Sequence, residues 1–187
     1  MIKFFNVQEA KNSILRREDS LEPAVPPALQ ASLNSLFGEG ATPETAVSTI
    51  LKDVRQRGDK ALHHWTKTLD GVQIASLQVS KSAINAAVSR IPTDLKDALE
   101  LAANRIRDFH QRQPLPNWHT DEMGGTVGQR VTPIERVGVY VPGGTAPLPS
   151  SLLMSAIPAR VAGVKQIVVA TPPGRGDGRI PDVTLAA

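Results

Sequence analysis

Arg136-Val137-Gly138-Val139-Tyr140-Val141-Pro142-Gly143-Gly144-Thr145-Ala146-Pro147 is the stretch on which the reading of this chain turns. Residues 136–141 form a strand pattern, and the proline- and glycine-rich residues after them form a loop. An apolar helix follows from about Ser151 to Ala162, and Gly163 supplies its C′ stop. Gln166-Ile167-Val168-Val169-Ala170 is a buried-type strand, bounded by Thr171-Pro172-Pro173. Strand, glycine loop, helix and strand together make a βαβ unit, which requires the two strands to be parallel. The two glycines let the backbone bend sharply and bring its N–H groups close to a ligand without a Cβ in the way. In open α/β sheets, ligands bind at the carboxyl ends of the strands, where this loop lies. The spacing is neither Gly-x-Gly-x-x-Gly nor Gly-x-x-x-x-Gly-Lys-Ser/Thr. Taken alone, it fits a ligand-binding turn and an ordinary tight βα turn equally well.

Upstream, Thr126–Thr132 alternates at period two, as a half-buried strand does. Before Pro114 and Pro116 the pattern is helical. Thr42-Pro43 opens a helix whose Ala46, Val47, Ile50, Leu51 and Val54 share one face. Gly58 stops it, Asp59 caps a second helix through Leu69, and Asp70-Gly71 closes that one. Ser80 begins a third, ended by Ile91-Pro92. Thr93 caps a fourth, with Leu95, Ala98, Leu99, Ala102, Ile106 and Phe109 on one side. Pro23, Pro26 and Pro27 suggest a connector between short helices. The chain thus reads as α/β. A helical region covers residues 1–114, and an incomplete βαβ domain starts at 115 and runs to 187. Pro181 looks like the first position of a further helix, with Val183, Leu185 and Ala186 on its apolar face. An uncapped apolar helix start at Ala187 reads as a truncation point.

The composition narrows the function classes. The 187 residues are 41% hydrophobic and 21% charged, ordinary for a globular protein. No stretch nears the roughly 18 apolar residues of a spanning helix, and no secretory h-region precedes a cleavage site. With no Cys, thiolate ligands and disulfides are excluded. A cytoplasmic location is the default. The net charge of +3 is scattered: Arg16-Arg17 is answered by Glu18-Asp19, and Lys52, Arg55 and Arg57 by Asp53 and Asp59. With 4% aromatic residues as well, neither a phosphate-binding footprint nor a stacking platform is present, which argues against nucleic-acid binding.

Pro133-Ile134-Glu135 leading into the run quoted above, Ser151–Lys165 after it, and Gln166–Pro173 together resemble the signature of histidinol dehydrogenases. Val54–Leu62, Thr68–Gly71 and Phe109-His110 are similar to that family's earlier helical region. The resemblance runs from about residue 40 to the end. It implies an NAD-dependent, zinc-containing homodimeric enzyme that oxidises L-histidinol to L-histidine in two steps, with Rossmann-like domains. Residues 115–187 then form part of a Rossmann-like NAD-binding domain. Matched residue by residue, the tyrosine that contacts NAD is Tyr140, with Pro142 and Gly143 in the adjoining turn, and Ser150 lies toward the substrate. A half-buried strand tyrosine bonded to backbone is the plainer alternative for Tyr140. The family's zinc ligands and its Glu-His acid–base pair are expected beyond residue 187, so no catalytic or metal residue is assigned here, and the chain alone is expected to be inactive.

The histidines present do not replace them. His63 and His64 are adjacent, so on a helix they point about 100° apart. His110 and His119 have only Asp108 and Asp121 as nearby carboxylates. No Gly-x-Ser-x-Gly elbow occurs. Two other readings remain: a related dehydrogenase of another small polyol, and a non-catalytic α/β module binding a nucleotide or phosphate.

Overall fold

The computed structural model describes residues 3–16, 25–113, 116–143, 146–174 and 177–187. By its internal contacts the chain divides into two compact units, Met1–Lys52 and Asp53–Ala187.

The first unit holds helices α1 (Val7–Asn12) and α2 (Pro27–Phe37) and most of α3 (Pro43–Arg57). Asn6 and Glu9 cap α1 reciprocally: the Glu9 N–H donates to Asn6 Oδ1 at 2.8 Å, and the Asn6 N–H to Glu9 Oε2 at 3.0 Å. Pro26 and Pro27 do not form a connector; they start α2, as N-cap and first helical residue. A proline fits there because the first-turn N–H groups have no helical partner anyway. Pro23 lies outside the described residues. The small core of this unit is Leu33, Ala41 and Ala46, flanked by Val25 and Phe37. Gln30 Nε2 donates to the Ala41 carbonyl at 2.9 Å and so ties α2 to the turn before α3. Thr42 caps α3 as expected, its Oγ1 accepting from the Thr45 N–H at 3.3 Å.

In the second unit, α4 (Asp59–Trp65) follows after Gly58, whose φ of 56° suits glycine alone. Gly58, and not Asp59, is the N-cap. The helix then loosens into a π-turn over Thr66–Asp70 and stops at Gly71 in the left-handed conformation. Helix α5 (Lys81–Arg90) starts at Ser80, whose hydroxyl accepts from the Ala83 N–H at 3.1 Å. Ser80→Ala is expected to cost about 1 kcal/mol of stability, read as a lowered urea midpoint. Helix α6 (Thr93–Gln111) has Pro92, not Thr93, as its N-cap. Leu95, Leu99, Ala102 and Ile106 are half-buried, whereas Ala98 and Phe109 are exposed. Pro114, expected to end α6, lies outside the described residues.

Strands β1 (Trp118–Thr120) and β2 (Val127–Gln129) pair antiparallel. The half-buried strand expected over 126–132 is only three residues long, and each of them is exposed. Its alternation reflects a surface ribbon. The register sets Gly128 opposite His119, where a Cβ would lie 2.2 Å from the Trp118 carbonyl oxygen. Backbone cannot yield as a side-chain tip can, so Gly128→Ala is expected to unpair this ribbon while leaving the helical circular dichroism unchanged. Loss of amide-exchange protection at residues 118–120 is the check.

The expected βαβ unit is present. Strands β3 (Arg136–Tyr140) and β4 (Gln166–Ala170) pair in parallel, Arg136 opposite Gln166 and Tyr140 opposite Ala170. Helix α7 (Pro149–Val161) links them and packs on both. Val139, Val141 and Leu153 are buried, Val141 completely. Gly163, with φ 92°, ends the α7 segment as expected. Helix α6 packs on α7, and α5 on the short α8 (Asp182–Ala186), which begins one residue after Pro181. No helix among the described residues is long and apolar enough to cross a membrane.

Two ion pairs pull their carboxyls below the usual carboxylate range: Arg57 acts on Asp53, and Arg90 on Asp182. A depressed folded-state value means stabilisation is complete above the unfolded value and fades as pH falls through the lowered one. The stability gap between the native chain and Asp182→Asn is therefore expected to be flat near neutrality and to close in acid. Urea midpoints measured against pH test this.

Candidate functional site

Tyr140 ends β3, and alternation along the strand sends its ring away from the side on which Val139 and Val141 are buried. Tyr140 is 67% exposed, and no described group bonds its hydroxyl. The plainer alternative, a half-buried tyrosine anchored to backbone, does not describe this residue. The Val141 N–H donates to the Ala170 carbonyl at 2.9 Å, carrying the β3–β4 ladder one step past Tyr140.

Pro142 and Gly143 follow in an exposed turn, while Gly144 and Thr145 lie outside the described residues. Gly143 is not in the left-handed region. What requires glycine there is a close neighbour: an added Cβ would sit 2.9 Å from Pro172 Cγ and 3.3 Å from its Cδ. One face of the turn is thus shaped by the loop after β4. Because a proline ring is stiff, Gly143→Ala is expected to cost about 1–3 kcal/mol, measurable by urea denaturation.

Helix α7 begins at Pro149, so Ser150 is its second residue and not a loop residue preceding it. Proline at the first position pre-sets the helical φ, which draws the helix start forward of residue 151. The Ser150 side chain is exposed. Tyr140 ends β3, Pro142 and Gly143 follow it after Val141, and Ser150 lies in the first turn of α7. These are the four positions expected from the sequence.

Sequence reading missed the far side of this corner. Thr171-Pro172-Pro173 looked only like the end of a strand, and Pro172 meets Gly143 through the parallel register. A groove of about 680 Å³ opens along this side, lined by Thr171, Pro173, Arg90, Arg179, Ile180 and Asp182 among others. Arg90 at the end of α5 donates to both carboxylate oxygens of Asp182 at the start of α8, its Nε lying 2.7 Å from Oδ2. The residues stand 92 apart in sequence, so no local spacing could reveal them.

Among the described residues, no group of three His, Asp or Glu side chains is placed to hold a metal ion. No described carboxylate is bonded to any of the four histidines. Asp121 accepts a hydrogen bond from Thr126 Oγ1. His110 rests edge-on against Phe109, and His64 against Trp65.

The family model described as histidinol dehydrogenase matches residues 39–187. The histidinol dehydrogenase of Deinococcus radiodurans is 47% identical over 163 residues, covering 87% of this chain and 37% of that protein. That of Neisseria gonorrhoeae is 44% identical over 169 residues, covering 86% and 39%. A crystal structure of histidinol dehydrogenase from Elizabethkingia anophelis superimposes with a TM-score of 0.72 at 32% identity, over 87% of this chain and 38% of that one. The chain therefore spans less than two fifths of the length of these relatives. With a family model matched over more than half of its residues, and relatives more than 40% identical over most of its length, the chain belongs to the histidinol dehydrogenase family.

Proposed function

We propose that this chain supplies one wall of the dinucleotide site of an NAD-dependent oxidoreductase that converts L-histidinol, through its aldehyde, to L-histidine in histidine biosynthesis. The observation that carries the reading is the outward ring of Tyr140 at the carboxyl end of a parallel strand, beside a turn that Gly143 keeps narrow.

When bound, NAD supplies a hydride acceptor. The chain's own residues bind and orient. Tyr140 offers an exposed ring face for packing and a hydroxyl for a hydrogen bond. Pro142 and the close approach of Gly143 to Pro172 stiffen the backbone that follows Tyr140, which lowers the ordering cost of binding. Ser150, in the first turn of α7, presents an exposed hydroxyl, which this reading directs to the substrate. Alcohol oxidation also needs a base for the hydroxyl proton, and the second step an activated water. None of these wall residues is such a base. Zinc, implied by resemblance, finds no ligand set among the described residues, so no step is assigned to it. The division into a helical region (1–114) and a partial Rossmann-like domain (115–187), the homodimer and the cytoplasmic location belong to the same proposal.

Calorimetric titration of the chain with NAD tests the reading. Tyr140→Ala is expected to weaken binding about tenfold, the worth of roughly 1.4 kcal/mol of contact. Unchanged affinity in that variant would remove Tyr140 from the site. Equal affinity for NAD and inorganic pyrophosphate would favour a general phosphate-binding module instead.

A further inference from the structure

We propose that the Arg90–Asp182 pair is a positioning device for the Tyr140–Gly143 corner, holding the β4–α8 loop so that Pro172 stays against Gly143; this rests on the dinucleotide reading of that corner. The loop is fixed at three described points. At its start, Pro172 meets Gly143. In its middle, Gly178 adopts φ +68° and presses on Val72, where an added Cβ would lie 2.7 Å from Cγ1. At its end, Asp182 is gripped by Arg90.

Between these points the described residues of the loop bond to one another. The Gly174 N–H donates to the Arg179 carbonyl at 2.9 Å, the Gly178 N–H to the Gly174 carbonyl at 3.0 Å, and the Arg179 N–H to Asp177 Oδ1 at 2.9 Å. These bonds tie Gly174, before the turn, to Gly178 and Arg179 after it, so that freeing Asp182 is expected to be felt at Pro172. The two-pronged geometry matters here because a guanidinium held by both carboxylate oxygens fixes orientation as well as distance. Tyr140 is coupled to the same loop from the other direction, since its register partner Ala170 immediately precedes Thr171. Arg90 and Asp182 stand outside the Tyr140–Gly143 corner itself; their effect passes through Pro172.

The chain contains a single tyrosine, so incorporating 3-fluorotyrosine gives one fluorine resonance that reports on Tyr140 alone. Asp182→Ala and the milder Arg90→Lys, which keeps the charge but loses the fork, are expected to shift or broaden that resonance. Asp182→Glu should bring it back toward the native position. Arg57→Ala, which breaks a pair of the same geometry on α3, should leave it in place. Far-UV circular dichroism establishes that each variant is folded. If Asp182→Ala does not fold, Arg90→Lys decides. An unmoved resonance in a folded variant lacking the fork overturns the proposal. Titrating NAD into the native fluorinated chain is the separate arm: no response to NAD sinks the dinucleotide reading, whereas the coupling is judged only by the variants.

Discussion

The purified chain, supplied with L-histidinol and NAD, is expected to form NADH no faster than a blank without protein. A hydride leaves carbon readily only as the hydroxyl proton is taken, and the corner built here holds no group to take it at neutral pH. In the proposed reading Tyr140, Pro142, Gly143, Pro172 and Ser150 would position a ligand, and none of them is a base at neutral pH. The four histidines lie on α4, at the end of α6 and on β1, none of them bonded to a described carboxylate that could orient it as a base. Losing a general base alone typically costs 10²–10⁴-fold, and imprecise placement of the reactants costs further factors of about 10². Together these take the rate below detection. Histidinol-dependent NADH production by the chain would refute the division of labour proposed here. Binding of NAD without turnover would support it.

The second large effect concerns the strand that carries the corner. Val141→Asp is expected to unfold the Asp53–Ala187 unit, seen as loss of the β3–β4 exchange protection and of α7 helicity together. Val141 is completely buried, directly after β3, with Val139 and Leu153 also in the interior. A carboxylate at that site loses its hydration and gains no described cation. Substitutions of this kind cost about 4 kcal/mol or more, against whole-domain stabilities of roughly 5–15 kcal/mol. Val141→Ile, which keeps the site apolar, should cost about 1–3 kcal/mol through overpacking. If the Asp variant melted with the native chain, the interior would have to lie elsewhere. Tyr140, one residue earlier and on the opposite side, should by contrast tolerate substitution without loss of fold.

The sequence carried the local structure. Turn chemistry marked Gly58, Gly71 and Ser80, and the composition of residues 136–141 and 166–170 placed the parallel strands, β4 to the residue. These signals act over one helical turn or one strand, through φ preference, capping and side-chain period, so neighbours in sequence suffice to reveal them. Boundaries at prolines were harder to read. Pro26-Pro27 and Pro149 start helices, because a missing N–H marks a helix start as readily as a break. The alternation over 126–132 misled for a different reason: period two reports an extended backbone but not what, if anything, covers it.

What the sequence determined by itself was the family likeness, the βαβ unit and four candidate positions between the end of β3 and the first turn of α7. Tertiary structure alone decided that Tyr140 faces outward, that Gly143 answers to Pro172, and that Arg90 closes on Asp182. Such contacts join residues roughly thirty to ninety apart, and their partners are chosen by the parallel register and by helix packing. No propensity or spacing along the chain encodes that choice, because its free energy exists only once the elements have met.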